Sequence, residues 1–156
     1  MNKEPIGKAD ANQAKGTLLL MELETETLAE GQEWMRRRIQ GKLADLAQKQ
    51  GRLSPSGDPL REAKQRDLRL RTSFGEVSVK VFRGRDRQTG RWGCPLRKLW
   101  GLRPHQRISP ALEEKLCYTA TEVGSYEKAA RMAAKWGSPA DDSTIHSLVQ
   151  IGRAHV

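Results

Sequence analysis

Leu68 and Leu70 alternate with Arg69 and Arg71, and a few residues later Val77, Val79 and Val81 alternate with Ser78 and Lys80. A repeat of two sends successive side chains to opposite sides of an extended backbone, so this stretch is committed to strands with one apolar side and one basic side. Ser73-Phe74-Gly75 and Asp86-Arg87-Gln88-Thr89-Gly90 carry the Gly and Asp that tight reversals need. The expected product is a three-stranded antiparallel meander over residues 66–102. A sheet of that size has too little apolar area to offset the ordering of its own backbone, so helices must cover it.

Both flanks offer them. Leu28, Met35, Ile39, Leu43 and Leu46 recur at spacings of seven, four, four and three, which puts them on one stripe of a helix expected over residues 15–50. Gly31 and Gly41 weaken that helix by about 1 kcal/mol each relative to Ala, which calls for a partner surface. Its acids, from Glu22 to Glu33, precede its bases, which begin at Arg36-Arg37-Arg38. The helix macrodipole favours that order, and local helix chemistry accounts for the three arginines without a binding role. Residues 1–14 are polar and aperiodic and are expected to be disordered. Residues 51–65 form a linker, with Pro55, Pro59, Gly51 and Gly57 at its start.

After Pro104, Ser109-Pro110 opens a second helical region with a hydroxyl at the N-cap and Pro at the first helical position. Leu112, Leu116, Ala120 and Val123 make its stripe, and Gly124 ends it. Ser125 caps a second helix, with Tyr126, Ala129, Ala130, Ala133 and Trp136 inward. Asp141 or Asp142 caps a third, with Ile145, Leu148 and Val149 inward. The fold class is therefore α+β: a long N-terminal helix, a small three-stranded antiparallel meander, and a three-helix unit over 109–150 resembling a helix-turn-helix. In that reading Ser143, Thr144, His146, Ser147 and Gln150 face outward as contacts to DNA bases. A plain helical bundle with a polar outer face is the simpler alternative.

Charge gives the sequence its partner class. Residues 1–35 hold three Lys/Arg and seven Asp/Glu, residues 36–107 hold twenty against six, and residues 108–156 hold five against six. The net +9 is thus concentrated in the middle. A polyanion relieves such repulsion and releases counterions on binding, which points to double-stranded DNA, with Arg69, Arg71, Lys80, Arg83, Arg85 and Arg87 as phosphate contacts. The bland counterpart is a solvated strand face that discourages edge pairing. Single-stranded RNA ranks below both, since Phe82 and Trp92 are the only aromatic platforms in reach. A reading from another class makes the N-terminal helix a homodimerisation element and the chain a protein-interaction module.

Catalytic chemistry is not encoded in a recognisable form. Cys94 and Cys117 stand alone without metal-ligand spacing, and His105 and His146 have no partners at ligand distance in sequence. Asp141 and Asp142 point about 100° apart on a helix, and a helix N-terminus favours acids in any case. No cofactor or metal is expected. Leu18-Leu19-Leu20-Met21 is too short to span a bilayer, and no signal peptide opens the chain, so the expected setting is the cytoplasm without membrane contact.

Arg71–Phe82, Asp86–Gly90, Cys94–Leu102, Ile108–Leu112, Ser125–Ala130 and Ser143–Gln150, in that order and spacing, resemble the amino-terminal region of bacterial insertion-sequence transposases of the ISKra and ISLre types. The resemblance covers roughly residues 68–150. It implies a DNA-binding segment that recognises terminal inverted repeats, followed in the parent protein by a DDE-type catalytic domain with an acidic metal-binding triad. This fragment alone would then catalyse nothing. Some relatives carry a Cys pair where this chain has Arg85-Asp86-Arg87-Gln88, so a zinc site is not carried over. Residues 151–156, Ile-Gly-Arg-Ala-His-Val, look like a translated sequencing adapter and are set apart from the fold; the alternative is that they extend the third helix.

Overall fold

In the computed structural model the backbone is described for residues 8–154 and the side chains for residues 19–152. The elements run α1 (Lys8–Gln50), β1 (Arg61–Thr72), β2 (Gly75–Arg85), β3 (Trp92–Gly93), α2 (Pro95–Leu99), α3 (Pro110–Val123), α4 (Tyr126–Lys135) and α5 (Asp142–Ala154). The architecture is α+β: a long N-terminal helix, an antiparallel sheet in the order β1-β2-β3, and C-terminal helices.

Several bounds differ from the sequence expectation. Helix α1 starts at Lys8, so the part of the expected disordered tail over 8–14 is helical, and residues 1–7 lie outside the described residues. Strand β1 begins at Arg61, inside the expected linker, because exposed residues can pair along a hairpin without any apolar alternation to announce them. The third strand is only Trp92–Gly93, and Pro95 at the start of α2 turns the chain helical where the meander was expected to continue to residue 102. At the other end α5 runs through Gly152 to Ala154, while His155 and Val156 lie outside the described residues.

Two apolar clusters hold these elements. In the first, Leu68 and Leu70 of β1 and Val77, Val79 and Val81 of β2 are buried against Ala47 of α1, Leu96 of α2 and Leu102. Ile39 and Leu43 pack on the edge of this cluster. The inner positions of α1 are therefore Ile39, Leu43 and Ala47, at spacings of four; Leu28 and Leu46 of the expected stripe are exposed. The free edge of β2 is also met by α1, since the Ser78 N–H donates to Gln40 Oε1 at 3.1 Å. Such a side-chain bond satisfies a strand donor that would otherwise need a neighbouring strand.

The second cluster joins Leu112, Leu116 and Ala120 of α3, Ala129 and Ala133 of α4, and Ile145, Leu148 and Val149 of α5. Alanines at the centre of α4 let its neighbours approach closely. Caps match the sequence: Ser109 Oγ accepts from the Leu112 N–H and Ser125 Oγ from the Lys128 N–H, both at 3.3 Å, and Gly124 adopts φ 60° at the end of α3.

The helical unit is fastened to the sheet by backbone and side-chain bonds. Arg71 N–H donates to Arg107 O and Ser109 N–H donates to Arg71 O, each at 2.8 Å. Buried Ser138 donates through Oγ to Thr72 O at 3.1 Å, and Gln32 Nε2 of α1 donates to Trp136 O at 2.8 Å.

Candidate nucleic-acid interface

The distal half of β1, residues 61–67, is exposed throughout and mostly charged, with Ala63 and Gln65 as its uncharged members. Arg61, Glu62, Lys64, Arg66 and Asp67 are all exposed. The ladder is irregular between Arg61 and Lys64, with Glu62 at φ 52°. Gly84 on β2 makes that irregularity possible, because a Cβ there would stand 2.7 Å from Arg61 O. Beyond it Arg61 stands opposite Arg85, while on its turn side the regular ladder sets Lys64 opposite Arg83. Like charges directly opposed on a sheet are destabilising, and one exposed contact, Glu62 to Arg85 Nε at 3.6 Å, offsets them.

Beyond β2 the chain reverses around Asp86, whose Oδ1 accepts from the N–H groups of Gln88 at 2.8 Å and Thr89 at 2.9 Å. The Thr89 bond comes first among the causes that hold the Asp86 carboxyl below its usual range. That acid serves its own turn, and Arg87 and Arg91 remain exposed beside it. The Arg85 guanidinium lies 5.7 Å over the Trp92 ring, which is 41% exposed.

Next to the hairpin is a groove of about 790 Å³. Asp67, Arg69 and Arg83 line it from the sheet, Trp92 from β3, Lys98 from α2, and His105 and Arg107 from the loop that follows. That loop is held in shape by a compact polar network. Arg103 Nη2 donates to both Glu113 carboxylate oxygens at 2.7 and 2.9 Å, Gln106 Nε2 donates to Glu113 Oε2 at 2.7 Å and to Ile108 O at 2.8 Å, and Arg97 Nη2 donates to Arg103 O and Gln106 O. Arg97 is thus structural. Among the described residues Arg69, Arg83, Lys98 and Arg107 form no ion pair, and Asp67 is the one acid in the lining.

Of the six cations singled out from the sequence, Arg69 and Arg83 share the groove, while Arg85 borders it through Trp92 and Arg87 projects from the adjoining turn. Two are placed elsewhere. Arg71 donates through Nη1 to Pro139 O at 3.3 Å and braces the helical unit. Lys80 faces Asp67 across the ladder and lines a separate cleft between α1 and β2. The side opposite the valines is also less uniformly basic than expected, because Arg71 is paired in register with Glu76 and Lys80 with Asp67. Arg61, Lys64, Lys98 and Arg107 were missed. The Cys94-Pro95 step was the available signal for α2 and hence for Lys98; nothing local marks the other three.

On α5, Ser143, His146, Ser147 and Gln150 fall on one exposed stripe, at helical spacings of three and four. Thr144 is turned partly inward, and its N–H donates to Asp141 Oδ1 at 2.6 Å. Ser143 Oγ donates to the same oxygen at 3.0 Å, and Ser147 Oγ donates to Ser143 O at 2.9 Å. The His146 ring meets Tyr126 edge-on at 5.1 Å. This stripe is polar and carries no Lys or Arg among the described side chains. No group of three or more His, Cys, Asp or Glu able to hold a metal occurs among the described residues. No helix among them is long and apolar enough to cross a membrane.

A family model described as an uncharacterised protein family, UPF0236, matches residues 13–150. The chain belongs to the UPF0236 family. No curated protein and no solved structure matches it. The matched region of this UPF0236 member takes in most of α1, the whole sheet and α5 as far as Gln150, so the groove and the polar stripe both fall within it.

Proposed function

We propose that the chain is a double-stranded-DNA-binding module, the amino-terminal part of an insertion-sequence transposase that engages the ends of its element and performs no catalysis itself. One observation carries the reading: the hairpin register sets cation against cation, Arg61 to Arg85 and Lys64 to Arg83, beside a groove whose other cations lack ion-pair partners among the described residues. An arrangement that costs folding energy in isolation is relieved by a polyanion, and counterion release supplies affinity. The phosphate backbone is held by Arg69, Arg83, Arg85 and Arg87, joined by Arg61, Lys64, Lys98 and Arg107. The α5 stripe of Ser143, His146, Ser147 and Gln150 reads base edges, with hydroxyl, imidazole and amide groups suited to that task. The sequence resemblance to ISKra and ISLre transposases supports the same assignment.

The test is selection of duplexes from a randomised pool, followed by anisotropy titration across a salt series. Binding is expected to weaken with a log-log slope of about −0.9 per phosphate contacted. Arg69→Ala and Arg83→Ala each lower that slope by roughly one without changing the selected sequence. His146→Ala and Gln150→Ala leave the slope and reduce discrimination by about 1–3 kcal/mol at each base pair that the wild-type side chain reads. Salt-insensitive binding, or no enrichment of any duplex, overturns the proposal.

A further inference from the structure

Helix α1 continues well past the body it packs on. Its contacts with the sheet and helical unit come from Gln32, Arg36, Ile39, Gln40, Leu43 and Ala47, which share one side of the helix. Roughly 120° around the axis lies a second stripe, following Leu20, Glu24, Leu28, Gly31, Met35, Arg38 and Lys42 at spacings of three and four. It is unpartnered. Leu20 and Leu28 are 58% and 56% exposed, and both line a shallow apolar trough that continues through Gly31. A helix that presents leucines to water gains nothing from them alone, and contiguous apolar surface of this kind marks an interaction site.

The charge pattern selects the occupant. Glu24 lies seven residues before Gly31 and Arg38 seven residues after it, and neither forms an ion pair within the chain among the described residues. In one helix they stand about 21 Å apart and cannot meet. Under a two-fold axis at Gly31, the Glu24 of each copy falls opposite the Arg38 of the other, and both pairs form at once. Gly31 has open space where a Cβ would sit, so two backbones can cross there closely. We infer that the protein forms a two-fold dimer in which this stripe of α1 packs antiparallel on the same stripe of a second copy, crossing at Gly31. A parallel pair would set Glu24 against Glu24 and Arg38 against Arg38. The inference is independent of the DNA-binding reading, since none of the stripe's residues lies in the groove or on α5.

Sedimentation equilibrium of the full chain tests it, with a mass of twice 17.5 kDa expected at micromolar concentration. Leu28→Lys is expected to give a monomer whose hydrogen-exchange protection in the sheet and in α3–α5 is unchanged, since Leu28 lies outside both cores. Glu24→Lys and Arg38→Glu each weaken the dimer about tenfold, because each introduces two like-charge contacts. The double variant restores the wild-type dissociation constant, which a purely structural role for either residue does not produce. A wild-type chain that remains monomeric at about 100 µM overturns the proposal and leaves the trough to a different protein. A dimer that ignores the charge reversals, or is not rescued by the double variant, overturns the antiparallel arrangement.

Discussion

Lys64 on β1 stands directly across the hairpin from Arg83 on β2. Both are exposed, and Arg83 also lines the neighbouring groove. The pairing is a local cost in the free protein and a source of affinity when an anion spans it. Lys64→Glu separates the two effects. It should raise the midpoint of urea unfolding by an amount corresponding to about 0.5 kcal/mol, and should weaken duplex binding while lowering its salt slope by roughly one to two units. Equal loss of stability and binding would mean that the register serves folding alone.

Gly84 allows the bulged start of β1 to close over β2. A Cβ at this position would meet Arg61 O at 2.7 Å, Leu60 Cβ at 3.1 Å and Ala63 Cα at 3.2 Å, and two of these three are backbone atoms that cannot swing away. Gly84→Ala should therefore cost about 1–3 kcal/mol in chemical denaturation. Hydrogen exchange should quicken at residues 61–66 while α3–α5 keep their protection.

Glu113 receives three hydrogen bonds, two from Arg103 and one from Gln106, and shapes the loop carrying His105 and Arg107. Glu113→Ala leaves the half-buried Arg103 guanidinium without its partner and should destabilise the chain by about 2 kcal/mol. The groove wall loosens with it, so duplex affinity should fall although no cation has been removed. Binding at full strength would show that the loop takes no part.

Two carboxyls make the chain acid-sensitive. Glu33 is lowered from 4.5 to about 2, first by its hydrogen bonds from Arg36 and then by those from Arg37. Asp141 is held below 3.8, mainly by hydrogen bonds from Thr144, with Ser143 and the Arg71 charge adding to them. Both folded values lie below the unfolded ones, so the stabilisation is complete above about pH 4.5 and is lost as pH falls towards 2. Asp141→Asn keeps a side-chain oxygen for the Thr144 N–H at every pH. Its α5 helicity, followed by circular dichroism, should depend less on pH in this window than that of the wild type, and an unchanged acid limb would exclude the Asp141 cap as a contributor.

Much of the fold was legible in the sequence because its signals are local. Period-two alternation at Leu68–Leu70 and Val77–Val81 marked the hairpin, and Ser109-Pro110, Ser125 and Asp141 marked three helix starts, since a cap is a bond between residues three apart. The inward positions of α3, α4 and α5 followed from 3.6-residue periodicity alone. The candidate site was legible only in part. Composition showed that the middle of the chain is cationic, which singled out Arg83, and alternation put Arg69 on the side away from the leucines.

Register and long-range packing decided the rest. Lys64 meets Arg83 because the register runs unbroken from the Thr72–Gly75 turn, whereas Arg61 meets Arg85 only through the bulge permitted by Gly84, which no local rule announces. Arg71 and Lys80 looked equivalent to Arg69 in sequence. The helical unit drew Arg71 to Pro139 O, and the ladder set Lys80 against Asp67. Helix α1 could be recognised from its own residues, but which of its leucines became buried depended on where the sheet lies. Apolar side chains far apart in sequence compete for the same small area of sheet, and only the folded chain settles which of them cover it.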